Sequence, residues 1–424
     1  MLIVAALATP NLTHAWTFSW LAPADGDVST FATSINASGQ VVGASRSGSL
    51  DLSNDTSAGA VRWSAGTYSS GPDVVSGLYP YSSQGSIGGP RRGYATAVNA
   101  AGSFTTSDPV LWTASSGPRT LETVFGTGAS AVGSPVGIGA GETIVGNAPA
   151  GPYIWDPAGG RRNLGSVVGS FSTTVNGLSP NGRFAVGSAS LDGTPIGASF
   201  ANERVAVLWD QSGQHAALAE PTRYLLVPSI TFPPATGGGF EESLNLQPYT
   251  RRSGIAHAVN DLGEVVGASG GQVGPVFVFP SFAPPQRAVI WDRNGNPRLL
   301  DTRPGNATSE ALAINALGAA VGTQRQDYLR VGESASRAML WDPVLGEVDL
   351  NALPGVPDGW LLYDAVGIND AGQIVGNGQF NGRSQGFVLS PDVQVVPLPA
   401  SAFLFLAGSL LLTGCTHRFR IRTR

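Results

Sequence analysis

The sequence predicts an all-β fold, a repeat β-propeller of about seven four-stranded blades, followed by one C-terminal transmembrane helix. Three observations predict the propeller. The first is a hairpin pattern of an apolar residue, Asn, two residues, Gly, two or three apolar residues and a second Gly, which recurs near positions 35, 98, 138, 178, 259, 314 and 368. Its mean spacing of about 55 residues lies in the range of propeller blades and similar arrays. The second is a tryptophan closing an apolar run after each of the first six hairpins: Trp63, Trp112, Trp155, Trp209, Trp291 and Trp341. The third is side-chain alternation. In Arg287-Ala288-Val289-Ile290-Trp291, residues 288 and 290 face one way and 289 and 291 the other, and both faces are apolar. A two-layer sandwich leaves one face of each sheet wet, whereas a blade wedged between neighbours is covered on both. A linear β-array or solenoid of the same units is the alternative architecture.

In chain order, residues 1–15 (MLIVAALATPNLTHA) read as a signal-peptide-like segment. They are apolar and end in Thr13-His14-Ala15, a small-residue cleavage site before Trp16, although the positive n-region is missing. An ordinary first strand is the other reading. Residues 16–391 form the repeat propeller. Asn36, Asn99, Asn260, Asn315 and Asn369 are structural: Asn bonds its own backbone two residues on, and the Gly that follows supplies the positive φ ending the turn. The units at 138 and 178 are looser, with Gly139 and Ser179 where Asn stands elsewhere. Each second hairpin turns through Asp-Pro or Asp-x-x-Gly, as in Asp292-Arg293-Asn294-Gly295. The widest interval holds an insertion at 219–253 with Pro233-Pro234 and Glu241-Glu242, and a second at 270–286 carries Phe277, Phe279 and Phe282. Long excursions from a rigid scaffold are where binding surfaces sit, with a structureless linker as the alternative. The seventh unit reaches Gly386-Phe387-Val388-Leu389 and then Pro391 with no fourth strand, while Trp16–Trp20 is a spare strand at the other end. Their pairing would close the ring and hide two edges.

The chain then reads Val396-Pro397-Leu398-Pro399-Ala400, an apolar run to Cys415, and a tail with Arg418, Arg420, Arg422 and Arg424. Residues 398–415 make about 27 Å of helix, barely a bilayer core, and the prolines forbid helix upstream. The arginines would stay cytoplasmic, placing the repeats outside. A buried C-terminal helix with a basic cap is the other reading, but this run has no charged face. Motif, span and basic cluster together resemble the PEP-CTERM protein-sorting signal, in its VPLPA-CTERM variant, over residues 396–424. Leu398 stands where the parent motif carries Glu, and Phe419 interrupts the arginines. The resemblance implies an exosortase-type membrane transpeptidase as partner, contact with membrane lipid before processing, delivery to the surface of a Gram-negative cell, and an association with exopolysaccharide. The repeats, above all Ala258–Gly267 and Ala313–Gly322, resemble the HAF repeat family of extracellular proteins. That likeness implies secretion and a repeat scaffold, and no activity.

Composition narrows the chemistry. Gly 57 and Pro 30 in 424 residues suit short strands and turns rather than long helices. All 24 basic residues are Arg, so Schiff-base and phosphate-loop lysines are excluded. Cys415 is the one cysteine, which excludes an internal disulfide and a cysteine zinc site, and it reads as a small apolar residue rather than a lipidation point. His215 and His257 are the body's two histidines, too few for a multi-His metal site, and read as surface or core fillers. The net charge is −5 and four arginines crowd the tail, so the body is more acidic still and repels phosphate backbones; no nucleic-acid partner is expected. Asp156, Asp210, Asp292 and Asp342 each follow a repeat tryptophan. They read as turn caps rather than as the paired acids of a glycosidase, and Asp292–Asn296 lacks the bidentate Glu of a calcium loop. The sequence thus predicts no catalytic residue, metal or cofactor. It predicts an exported, surface-sorted scaffold that binds or joins extracellular matrix or exopolysaccharide. The alternatives are an exported polysaccharide hydrolase or lyase and a purely structural matrix protein.

Overall fold

The repeats pair into seven antiparallel sheets, six of them built from strands that follow one another along the chain and the seventh completed by the first strand. The computed structural model describes residues 15–392, apart from 48–58, 74–93, 127–131, 192–194, 197–198, 201–202, 222–223, 232–240, 249–252, 271–285, 302–307 and 326–335. The leader up to residue 14, the sorting motif 396–400, the span 398–415, the arginine tail and nearly all of the insertion at 270–286 lie outside the described residues. Among the described residues no helix is long and apolar enough to cross a membrane.

The blades, written from the inner strand outward, are as follows. Blade 1 is Ser29–Ile35, Val41–Arg46 and Gly59–Trp63, with a single bridge from Arg62 to Asp73 at its outer edge. Blade 2 is Ala95–Val98, Phe104–Thr106, Val110–Thr113 and Gly117–Thr120; blade 3 is Ser134–Ile138, Ile144–Ala148, Gly151–Asp156 and Gly160–Asn163. Blade 4 is Ser170–Leu178, Phe184–Leu191, Glu203–Asp210 and His215–Ala217; blade 5 is Ile255–Val259, Val265–Ser269, Arg287–Trp291 and Pro297–Leu299. Blade 6 is Thr308–Ile314, Ala320–Arg325, Ser336–Asp342 and Gly346–Asp349. Blade 7 takes three strands from the end of the repeats, Trp360–Ile368, Ile374–Phe380 and Arg383–Pro391, and its outer strand is Trp16–Trp20.

That last pairing is the expected closure. Leu21 N–H donates to Gly386 O at 2.8 Å, and the first strand runs antiparallel to Arg383–Pro391. Packing confirms the ring. The core is divided into seven clusters, one in each gap between blades. The gap between blades 7 and 1 is filled like the rest, by Leu21, Ala32, Val61 and Trp63 against Val375 and Val388. A linear array would leave two sheet faces bare, so that alternative falls. The alternation also holds: Val289 and Trp291 pack toward blade 4, and Ala288 and Ile290 toward blade 6.

Antiparallel order sorts the connections onto two faces. The Asn turns and the turns after the tryptophans lie on one, called here the turn face. Links between second and third strands, and between blades, lie on the opposite, loop face. Every internal interval outside the described residues begins and ends on the loop face. So does the insertion at 219–253, which is not a structureless linker: its backbone forms an antiparallel hairpin, Tyr224–Thr231 with Glu241–Pro248.

The second Gly of the repeat has a reason that the pattern alone did not supply. Inner strands carry a bulge, for example between Ala256 and Ala258 and between Ala311 and Ala313. The bulge pushes an inner-strand carbonyl onto the neighbouring strand. A Cβ on Gly43, Gly187, Gly267, Gly322 or Gly376 would collide with that carbonyl oxygen, so only glycine fits.

Candidate functional site at the propeller axis

All seven inner strands line one axial channel of about 270 Å³. Its turn-face end is ringed by the repeat asparagines, each of which is buried. Every Asn side chain works in two directions. Its Oδ1 caps its own turn: Asn315 Oδ1 accepts the N–H groups of Leu317 and Ala319, both at 3.0 Å. Its Nδ2 donates to the turn carbonyl of the next blade. Asn36 reaches Asn99 O (2.9 Å) and Asn99 reaches Gly139 O (3.1 Å). Asn260 reaches Asn315 O (3.0 Å), Asn315 reaches Asn369 O (3.2 Å), and Asn369 returns to Asn36 O (3.0 Å). The two looser units are bridged by other groups. Ala140 N–H donates to Pro180 O at 2.7 Å, and Asn181 N–H donates to Asp261 Oδ1 at 2.8 Å. The circuit therefore closes around all seven blades in one sense.

The channel lining mixes aliphatic side chains (Ile35, Val98, Ile138, Leu178, Ile314 and Ile368) with the asparagines and small polar groups such as Thr33 and Thr96, and no aromatic ring is among the described residues that line it. Its two acids, Asp261 and Asp370, each accept a backbone N–H of the preceding blade, from Asn181 and Ala316 at 2.8 Å. Among the described residues the axis holds no free pair of carboxylates.

The tryptophans are inter-blade fasteners. Trp63, Trp209 and Trp291 are fully buried, and their indole N–H groups donate to Ala22 O (2.9 Å), Gly165 O (2.7 Å) and Ala219 O (2.6 Å). Those carbonyls belong to the segments arriving from the preceding blade. Trp155 and Trp341 are also buried, whereas Trp112 is half-buried and stacks on Phe104. The acids after the tryptophans cap turns as expected: Asp156, Asp210, Asp292 and Asp342 each accept two or more backbone N–H groups through Oδ1. His215 is exposed. Among the described residues no three His, Cys, Asp or Glu side chains gather as a metal site.

The loop-face rim, formed by the loop-side ends of the inner strands, carries residues that the sequence reading passed over. Five positions before the repeat Asn stand Phe31, Tyr94, Glu310 and Asp364, on the consecutive blades 1, 2, 6 and 7 around the ring. Phe31 and Tyr94 meet edge to face at 5.6 Å, and the Arg46 guanidinium lies 4.6 Å over Phe31. Tyr94 is 41% exposed. Asp364 Oδ1 accepts from Asn377 N–H (2.9 Å) and Nδ2 (3.0 Å), while the same amide also bridges to both backbone groups of Ala32 in blade 1. Burial raises the Asp364 carboxyl to about 6 against these bonds. On blade 5, His257 Nε2 sits 3.7 Å from Glu310 Oε2, and Gln286 Nε2 donates to Glu310 Oε1 at 2.7 Å. Burial lowers the His257 imidazole; the Glu310 charge opposes this and Arg204 adds to it. Equal spacing from the repeat Asn was the signal that could have found Glu310 and Asp364.

No known protein-family model matches the chain, and no curated protein matches it.

Proposed function

We propose that this chain is an exported, surface-sorted, non-catalytic scaffold that binds extracellular polysaccharide or matrix through the loop-face rim, and that its C-terminal segment is a membrane-spanning sorting signal processed by an exosortase-type transpeptidase. The observation that carries the binding part is the Phe31–Tyr94 pair, with Phe31 half-buried and Tyr94 exposed, on blades that follow those of Glu310 and Asp364 around the ring. Aromatic faces cover the apolar faces of sugar rings, and carboxylates accept their hydroxyls. The face is also the one from which every long connection springs, as binding surfaces on rigid scaffolds do. The non-catalytic part is supported by what the acids already do. Those of the repeats cap turns or join blades, and both rim carboxylates are held by neighbouring amides. The sorting part rests on residues 396–424 as a sequence.

Two experiments test the reading. Binding of the native exopolysaccharide to the full chain is expected to fall at least tenfold with Tyr94→Ala, the loss of one stacking contact of about 1.5 kcal/mol. An unchanged affinity overturns the rim. Mass spectrometry of the exported protein's C-terminus is expected to find the chain cut near Val396–Ala400. An intact Arg424 on exported protein overturns the sorting signal.

A further inference from the structure

The turn face carries an apolar patch that the propeller does not need. Leu317 is 72% exposed, Val344 89%, Leu262 47% and Leu345 43%. Leu262 and Leu317 occupy the third position of the Asn turns of blades 5 and 6. The same position in the other blades holds Ser38, Ala101, Gly141, Asn181 and Ala371, all small or polar. The turn geometry does not require leucine, because backbone N–H groups at these positions make the bonds to Asn Oδ1. Val344 and Leu345 come from the turn after Trp341. A Cβ on Gly318 would lie 3.8 Å from Pro343 Cγ and 3.8 Å from Glu264 Oε2, so these turns of the two blades are contiguous. Among the described residues the remaining exposed large apolar side chains, Trp20, Val28, Tyr94, Val168 and Phe171, lie toward the loop face.

The chain enters and leaves the propeller on the same turn face. Arg383–Pro391 is a third strand, so it runs from the loop face and ends at the turn face, and antiparallel Trp16–Trp20 begins there. Only residues 392–395 separate that end from the motif at Val396. Six residues, 392–397, separate the end of the strand from residue 398 and reach at most about 22 Å. A span beginning at residue 398 therefore holds the turn face within a short reach of the bilayer, with blade 6 beside the exit blade.

We propose that the turn face is a membrane-docking surface: Leu262, Leu317, Val344 and Leu345 enter the lipid interface while the tail is in the membrane, and the loop-face rim points away from it. The inference rests on the membrane-spanning reading of residues 398–415. The occupant is lipid rather than protein because the tether places a bilayer there. It is a bilayer of zwitterionic lipid, because the acids on the turns of this face (Asp156, Asp210, Asp261, Asp292, Asp342 and Asp370) outnumber the arginines there (Arg183 and Arg293), and the net negative face repels anionic headgroups.

The test uses the full chain with Cys415→Ala and a single cysteine carrying an environment-sensitive dye, reconstituted into phosphatidylcholine vesicles. Dye at Leu317→Cys or Val344→Cys is expected to shift to the blue and to be quenched by lipid-borne quenchers, while dye at Asp25→Cys on the loop face stays aqueous. Tryptophan emission checks that each variant is folded. If the chain floats with the vesicles while both turn-face dyes read aqueous, or if Asp25→Cys is quenched equally, the docking surface is overturned and the anchor stands. If the chain does not float, the anchor reading fails and the docking surface falls with it.

Discussion

Asn315 does with one amide what two residues would otherwise do. Its oxygen closes its own turn and its nitrogen holds blade 7. The two roles separate by mutation. Asn315→Ala leaves two N–H groups and the Asn369 carbonyl short of partners and is expected to cost about 2–4 kcal/mol, read as a lower denaturant midpoint. Asn315→Asp keeps the cap but turns a carboxylate oxygen toward a carbonyl oxygen, so its loss is expected to shrink at a pH low enough to protonate it. The two repeat glycines separate in the same way. Gly318 has φ +79°, and a Cβ there would make only ordinary contacts at 3.8 Å, so Gly318→Ala is expected to cost about 1–2 kcal/mol of backbone strain. Gly322→Ala meets the Glu310 carbonyl oxygen, which cannot move without breaking the bulge, and is expected to cost more. Equal costs would contradict this account. Asp364 sets a pH dependence. Its folded value of about 6 lies above the ordinary 3.8, so the folded state holds the extra proton between the two. Its contribution is favourable below the ordinary value and is lost as pH rises through about 6. Asp364→Asn should therefore raise the melting temperature at pH 8 and change it little at pH 4.

Among the elements, the third strand of each of blades 1 to 6 carries the repeat tryptophan. Trp291 lies fully buried against blade 4 and bonds the carbonyl of Ala219, tying in the segment that leads into the hairpin insertion. Trp291→Ala is expected to cost about 3–5 kcal/mol through the cavity left behind. Trp291→Phe fills most of that space but orphans the carbonyl, costing about 1–3 kcal/mol. A phenylalanine variant as damaged as the alanine variant would show that the hydrogen bond, not the volume, dominates. This strand was legible in the sequence because alternation and the closing tryptophan are local features. The tryptophan's partner was not, since Ala219 lies 72 positions away in the chain.

For the whole molecule, stability depends on closing the ring with a strand from the other end of the chain. Deleting residues 16–20 exposes the edge of Arg383–Pro391 and strips Trp16 and Phe18 from the cluster they share with Leu389 and Trp360. Such a chain is expected to self-associate through that edge, visible as a larger mass in light scattering, whereas a chain beginning at Trp16 stays monodisperse. The expected cleavage after Ala15 would leave the closing strand whole. The rim follows the same logic: Phe31 and Tyr94 lie far apart in the sequence and meet because blades 1 and 2 are neighbours, and Asp364 is tied to blade 1 through Asn377 only because the ring is complete.

The sequence by itself determined the repeat, its turns, the two-sided burial of its strands and the strand left over for closure. Each of these depends on residues within a few positions of one another, through turn chemistry and side-chain alternation. Only the tertiary structure decided the second partner of each asparagine, the carbonyl that demands the second glycine, and the company of the rim residues. Those depend on register across a bulge or on a neighbouring blade, and closure of the ring sets both.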